Sequence, residues 1–83
     1  MKKILSFTAE WCPNCPRMKP VLAQLEKDGY SVTIKDVETE EFATQKYQVK
    51  SLPTTIIIGE QGEELDRVVG ARPYSFMQDL LKD

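Results

Sequence analysis

The order of apolar patterns along the chain predicts an α/β fold: a four-stranded mixed sheet with helices on both faces, in the order β-α-β-α-β-β-α, as one domain over residues 1–83. Three observations carry this prediction. A helix-period apolar stripe lies between the first two strands, and a strand–helix–strand crossover makes them parallel. Gly59-Glu60-Gln61-Gly62 stands between the last two strands, and so tight a turn makes them antiparallel. No repeat, linker or low-complexity segment interrupts the pattern.

The first strand is Lys3 to Phe7, where Ile4, Leu5 and Phe7 are apolar almost without alternation, as in a central strand covered on both faces. Thr8-Ala9-Glu10-Trp11 is a loop. The first helix is predicted from near Pro13, since proline suits a first helical turn, to about Asp28. Met18, Val21, Leu22 and Leu25 fall at i, i+3, i+4 and i+7 and make one buried stripe. Pro16 is still in the first turn; Pro20 is interior and is expected to kink the helix. Gly29 is a C-cap able to take the left-handed conformation.

The second strand runs from Ser31 to Val37, with Val32, Ile34 and Val37 expected inside. A short helix follows from Thr39, as N-cap, to Tyr47, with Phe42, Ala43 and Tyr47 on its inner face. Ser51-Leu52-Pro53-Thr54 leads sharply into a third strand, Thr55 to Ile58. A fourth strand, Glu64 to Val69, ends at Gly70. Pro73 opens the last helix, with Phe76, Met77, Leu80 and Leu81 as its buried stripe.

The composition is that of an ordinary globular chain, 41% hydrophobic and 29% charged. A net charge of −2 without a dense basic cluster argues against a nucleic-acid or anionic-membrane partner. Met1-Lys2-Lys3-Ile4-Leu5 faintly resembles a signal peptide, but its apolar run breaks at Ser6, short of the roughly 7–15 residues required. No stretch approaches the roughly 20 apolar residues of a membrane span. A cytoplasmic protein is expected.

The chemistry is concentrated in Trp11-Cys12-Pro13-Asn14-Cys15, which holds both cysteines of the chain. They lie where a strand ends and a helix begins. Unpaired N–H groups and the positive end of the helix dipole stabilise a thiolate there, and the thiolate is the reactive form. A bridge between them closes too short a loop to constrain the unfolded chain much, so stability is not their purpose. In a cytoplasmic chain such a pair points to redox or metal chemistry.

With these residues in place the chain resembles the thioredoxin superfamily over nearly its whole length. Trp11-Cys12-x-x-Cys15 resembles the active-site motif, and Thr8-Ala9-Glu10 precedes it as in thioredoxins. Pro20 matches the kink proline, Leu52-Pro53-Thr54 the cis-proline loop, and Val69-Gly70-Ala71 the glycine segment beside the substrate groove. The resemblance implies a minimal thioredoxin-like fold, lacking the N-terminal strand and helix of full thioredoxins. The departures are specific. Pro13-Asn14 is neither the Gly-Pro of thioredoxins nor the Pro-Tyr of glutaredoxins. The buried aspartate of thioredoxins falls at Ser6, and its lysine partner at or beside Ile34-Lys35.

The resemblance implies a dithiol donor that reduces protein disulfides. Cys12 is then the nucleophile, on the exposed side of the loop, and Cys15 the shielded resolving cysteine. Trp11, Pro13, Asn14, Leu52, Pro53 in the cis form, Gly70 and Ala71 are the substrate surface. With no histidine in the chain, helix amides with Arg17 or Lys19 are left to stabilise the thiolate. Water or Glu10 is left to deprotonate Cys15. No cofactor or metal is bound in this reading. Electrons come from NADPH through a flavoenzyme resembling thioredoxin reductase, the clients are disulfide proteins such as ribonucleotide reductase, and the protein is a monomer. The alternative is a glutaredoxin, with Arg17, Lys50 and Arg72 as candidates to hold glutathione carboxylates. A metal-binding module is disfavoured, because two cysteines and no histidine fall short of the four ligands of a closed zinc site.

Overall fold

The computed structural model describes residues 2–82. Its strands are β1 (Lys3–Thr8), β2 (Ser31–Asp36), β3 (Thr54–Ile58) and β4 (Glu64–Val69); its helices are α1 (Met18–Lys27), α2 (Glu41–Lys46) and α3 (Tyr74–Leu81). One sheet runs β2-β1-β3-β4. β1 pairs parallel with β2, antiparallel with β3, and β3 antiparallel with β4. This is the predicted four-stranded mixed sheet, with strands and helices following one another along the chain in the predicted order.

The faces follow from the alternation of β1. Ile4 points to one side, where it packs with Met18, Leu22 and Leu25 of α1, Ile57, Val68, and Met77 and Leu81 of α3. Phe7 points to the other and packs with Ile56, Ile58 and, from α2 and its end, Ala43 and Tyr47. β3 sits between two strands under both layers and is buried at every position. That is why Ile56-Ile57-Ile58 runs without polar alternation, behind two buried threonines.

The first helix departs from its predicted start. Cys15–Arg17 form a 3-10 turn, and α1 begins only at Met18. Pro13 and Pro16 have no N–H to give, and the Arg17 N–H bonds back to the Asn14 carbonyl at 3.2 Å, a three-residue spacing. Pro20 therefore falls in the first turn of α1 rather than its interior, where a missing N–H costs little. The C-terminus ends as expected: Gly29, at φ 103°, bonds to Glu26 O and Tyr30 N to Leu25 O. These two bonds form a Schellman cap.

Three apolar residues expected inside are on the surface. Ile34 is 56% exposed because β2 is an edge strand that α1 covers only in part. Phe42 is 82% exposed: α2 is six residues long, Ala43 and Tyr47 face the sheet, and a neighbour about 100° away on the helix turns outward. Phe76 is 43% exposed beneath the Arg72 guanidinium, 5.8 Å from its ring centre. Val32 and Val37 are half-buried. Thr39 does not cap α2; the helix starts one residue beyond Glu40, and the Thr39 hydroxyl donates to Asp36 O.

Candidate active site

The site lies at the carboxyl ends of the parallel strands β1 and β2, the edge where ligands gather in parallel α/β sheets. β1 runs straight into Ala9 and the loop that carries the cysteines. The Cys12 N–H donates to Ala9 O at 3.2 Å and turns the chain back under the loop. Cys12 and Cys15 are joined by a disulfide, with their Cα atoms 5.4 Å apart. Each is only 5% exposed, packed with Ala9 and backed by Val37 and Leu52. The expected contrast between an exposed Cys12 and a shielded Cys15 is absent in this oxidised form, because the loop tucks both sulfurs under. Cys12 also stands three residues before the 3-10 turn instead of in the first turn of the helix. Trp11 is 66% exposed, and with Pro13 and Asn14 it forms the outer rim.

The other substrate-surface candidates gather on one side of this rim. The Leu52–Pro53 peptide is cis. Pro53 is buried and Leu52 packs against the cysteine cluster. The Gly70 N–H donates to Pro53 O at 2.8 Å, which draws the Gly70–Ala71 segment beside the proline. Gly70 has φ 94°, the left-handed region that glycine enters freely. The next residue but one, Arg72, donates its N–H to Met18 Sδ at 3.4 Å and so ties this segment to the start of α1. Arg17 and Arg72 line one groove of about 260 Å³ with Val21, Ala71 and Pro73. Lys50 is not among its lining residues.

Beneath the disulfide, Ser6 is buried opposite Ile34 on β2 and Thr55 on β3. A cavity of about 40 Å³ lies there, lined by Ser6, Thr8, Cys15, Met18, Lys19, Leu22, Ile34 and Pro53. No carboxylate lines it. Cys15 also borders a second space, an open groove of about 300 Å³ at the strand ends, together with Thr8, Ala9, Glu10, Pro16, Lys19 and Asp36. Asp36 was not legible as a site residue in the sequence. The signal that finds it is topological: it ends β2, parallel to β1 and paired in register with Thr8.

A cysteine pair just past the end of a parallel strand, beside a cis proline at the start of the neighbouring antiparallel strand of a mixed four-stranded sheet, defines a thioredoxin-fold redox site. The Thioredoxin family model matches residues 1–83, and this chain belongs to that family. It is 38% identical over 82 residues to a thioredoxin H-type of Brassica oleracea, covering 95% of this chain and 65% of that one. It is 37% identical over 82 residues to a thioredoxin of Staphylococcus epidermidis, covering 95% and 78%. Among solved structures, a thioredoxin variant from Halobacterium salinarum superposes with a TM-score of 0.88 at 28% identity, over 96% of this chain and 71% of that one. The thioredoxin of Fasciola hepatica does so at 0.86 and 29%, over 96% and 77%. The chain thus spans just under two thirds of the length of the plant relative.

Proposed function

We propose that this protein is a protein-disulfide reductase, a dithiol donor acting through Cys12 and Cys15 as a single domain over residues 1–83. The observation that carries this reading is the disulfide itself, held in a loop whose rim is Trp11 and whose flank is Pro53 and Gly70. Cys12 lies ahead of the 3-10 turn and α1, where the positive end of the helix dipole favours a thiolate, and Arg17 adds positive charge. The thiolate attacks a client disulfide and forms a mixed disulfide. Cys15 then attacks the Cys12 sulfur and releases the reduced client. Trp11, Pro13, Asn14, Leu52, Pro53, Gly70 and Ala71 are the client-facing surface. NADPH supplies the electrons through a flavoenzyme of the thioredoxin reductase type, ribonucleotide reductase is a fitting client, and the setting is a cytoplasmic monomer. Among the described residues no helix is long and apolar enough to cross a membrane.

The groove shared by Arg17 and Arg72 favours one second reading, a glutaredoxin that holds glutathione carboxylates there. NADPH oxidation with a protein disulfide as acceptor separates the two. Turnover through a thioredoxin reductase supports the first reading; turnover only with glutathione and its reductase supports the second. Cys15→Ser is expected to accumulate a Cys12–client mixed disulfide, visible as a mass adduct. Normal turnover by that variant would rule out the two-cysteine mechanism.

A further inference from the structure

A buried thiol must lose its proton before it can attack a disulfide. On the reading proposed above, Cys15 is that thiol, and it borders two spaces of opposite character. The inner cavity of about 40 Å³ offers the hydroxyls of Ser6 and Thr8, apolar side chains and the Lys19 side chain, but no group able to accept a proton near neutral pH. The outer groove of about 300 Å³ offers two carboxylates, Glu10 and Asp36, again with Lys19. The two carboxylates are held differently. Glu10 is exposed on the loop. Asp36 is half-buried at the end of β2, paired with Thr8, and its Oδ1 accepts the Glu38 N–H at 2.8 Å.

We infer that the Cys15 proton leaves sideways, into the groove at the carboxyl ends of β1 and β2, and that Asp36 is the base that receives it. The surrounding charges suit the task. Among the described residues no side chain donates to the Asp36 carboxylate and no carboxylate pairs with Lys19, so neither charge is already neutralised by a partner. Lys35, beside Asp36 in sequence, is engaged by Glu40 at 3.2 Å, and Glu38 and Glu10 are the remaining acidic neighbours. Lys19 favours a thiolate on Cys15 while Asp36 takes the proton. In the step itself, the S–H bond of Cys15 breaks and its proton passes to the Asp36 carboxylate through the groove. The Cys15 thiolate attacks Cys12 Sγ and forms the intramolecular disulfide. The Cys12–client S–S bond breaks, and its electron pair leaves on the client sulfur. That sulfur then takes up a proton, from Asp36 or from solvent. The dithiol is oxidised by two electrons and the client disulfide is reduced to two thiols.

Single-turnover reaction with dithiobis(nitrobenzoate), whose two thiolate products are coloured, separates the steps. The first thiolate reports attack by Cys12; the second reports resolution by Cys15. Near neutral pH, Asp36→Asn is expected to slow the second phase by about 10-fold or more, toward the roughly 10²–10⁴ typical of a positioned base. The gap should close at alkaline pH, where hydroxide removes the proton unaided. The Asn side-chain oxygen can still accept the Glu38 N–H, so the strand end is preserved. Asp36→Glu should restore most of the rate, and Glu10→Gln should keep the wild-type pH profile. Coincidence of Asp36→Asn with the wild type at every pH would overturn the assignment, as would a slow second phase in Glu10→Gln instead. If the wild-type protein gives no first phase, or releases only one thiolate, the dithiol reading fails as well, and the two failures are told apart by which phase is lost.

Discussion

Ser6 separates what one residue reveals by its place in the chain from what it reveals by its surroundings. The resemblance to thioredoxins puts Ser6 at the place of their buried carboxylate. What surrounds it was not legible in the sequence. Ser6 faces Ile34 and Thr55 across the sheet, in an apolar pocket beside Cys15. A carboxylate placed there loses hydration, and burial of that kind pushes a carboxyl pKa well up. The charged form is then disfavoured in the folded state. Stability is intact below the unfolded carboxyl value and is lost as pH rises through the raised folded value. Ser6→Asp is therefore expected to unfold at lower urea in alkaline than in mildly acidic buffer. The expected difference is about 2 kcal/mol or more, since a tenfold change in the proton-binding constant is worth about 1.4 kcal/mol. Adding Ile34→Lys, directly opposite, should recover part of the loss. A urea midpoint for Ser6→Asp that does not move with pH would show that the pocket admits water freely.

Among the elements, periodicity identified the right stripe on α1 and the wrong residue on α2. Ten helical residues with Leu22 and Leu25 four and seven positions after Met18 leave one face to bury. Six residues with apolar side chains at successive positions leave two choices, and the sheet selects Ala43 and Tyr47. Leu25→Ala is expected to cost about 2–5 kcal/mol in urea unfolding. Phe42→Ser should stay within about 0.5 kcal/mol of the wild type, as surface changes do; a larger loss would mean that the ring is covered in solution. Between elements, Arg67 on β4 holds Glu64 through both carboxylate oxygens, at 2.8 and 2.9 Å, and donates to Tyr47 O at the end of α2. The hydrogen bonds from Arg67 hold the Glu64 carboxyl below its ordinary value of 4.5. A depressed carboxyl stabilises the fold above its unfolded value, and that contribution disappears as pH falls through the folded value. Both side chains are partly exposed, so the pair is worth about 0.2–1 kcal/mol after solvent screening. Glu64→Gln should show that deficit at neutral pH and lose it in acid, below the carboxyl range, as read from paired urea curves.

For the whole molecule, the disulfide spans a sequence separation of 3, so it removes little freedom from the unfolded chain. The chain-entropy estimate for so short a loop is about 2 kcal/mol, which sets the expected ceiling on the stability of the oxidised over the reduced protein. By the thermodynamic cycle the same difference separates the reduction potentials of the folded and unfolded pair, with about 1.4 kcal/mol equal to about 30 mV. Urea unfolding of the two forms, set against potentials in buffer and in denaturant, must agree. A much larger stability gap would mean that reduction loosens the loop and its Ala9–Leu52 backing. The strand and helix order, the parallel direction of β1 and β2, the antiparallel direction of β3 and β4, the α1 stripe and the Cys12–Cys15 pair could be read from the chain alone, because they follow from local periodicity, turn residues and short fixed spacings; the antiparallel pairing of β1 with β3 could not. The outward faces of Ile34 and Phe42, the tucking of Cys12 under its loop and the place of Asp36 on the groove that Cys15 borders could not. Those facts depend on which strand lies at the edge and which strand ends meet. Cys15 and Asp36 belong to different elements, with all of α1 between them, and they line one groove only once β2 has docked beside β1.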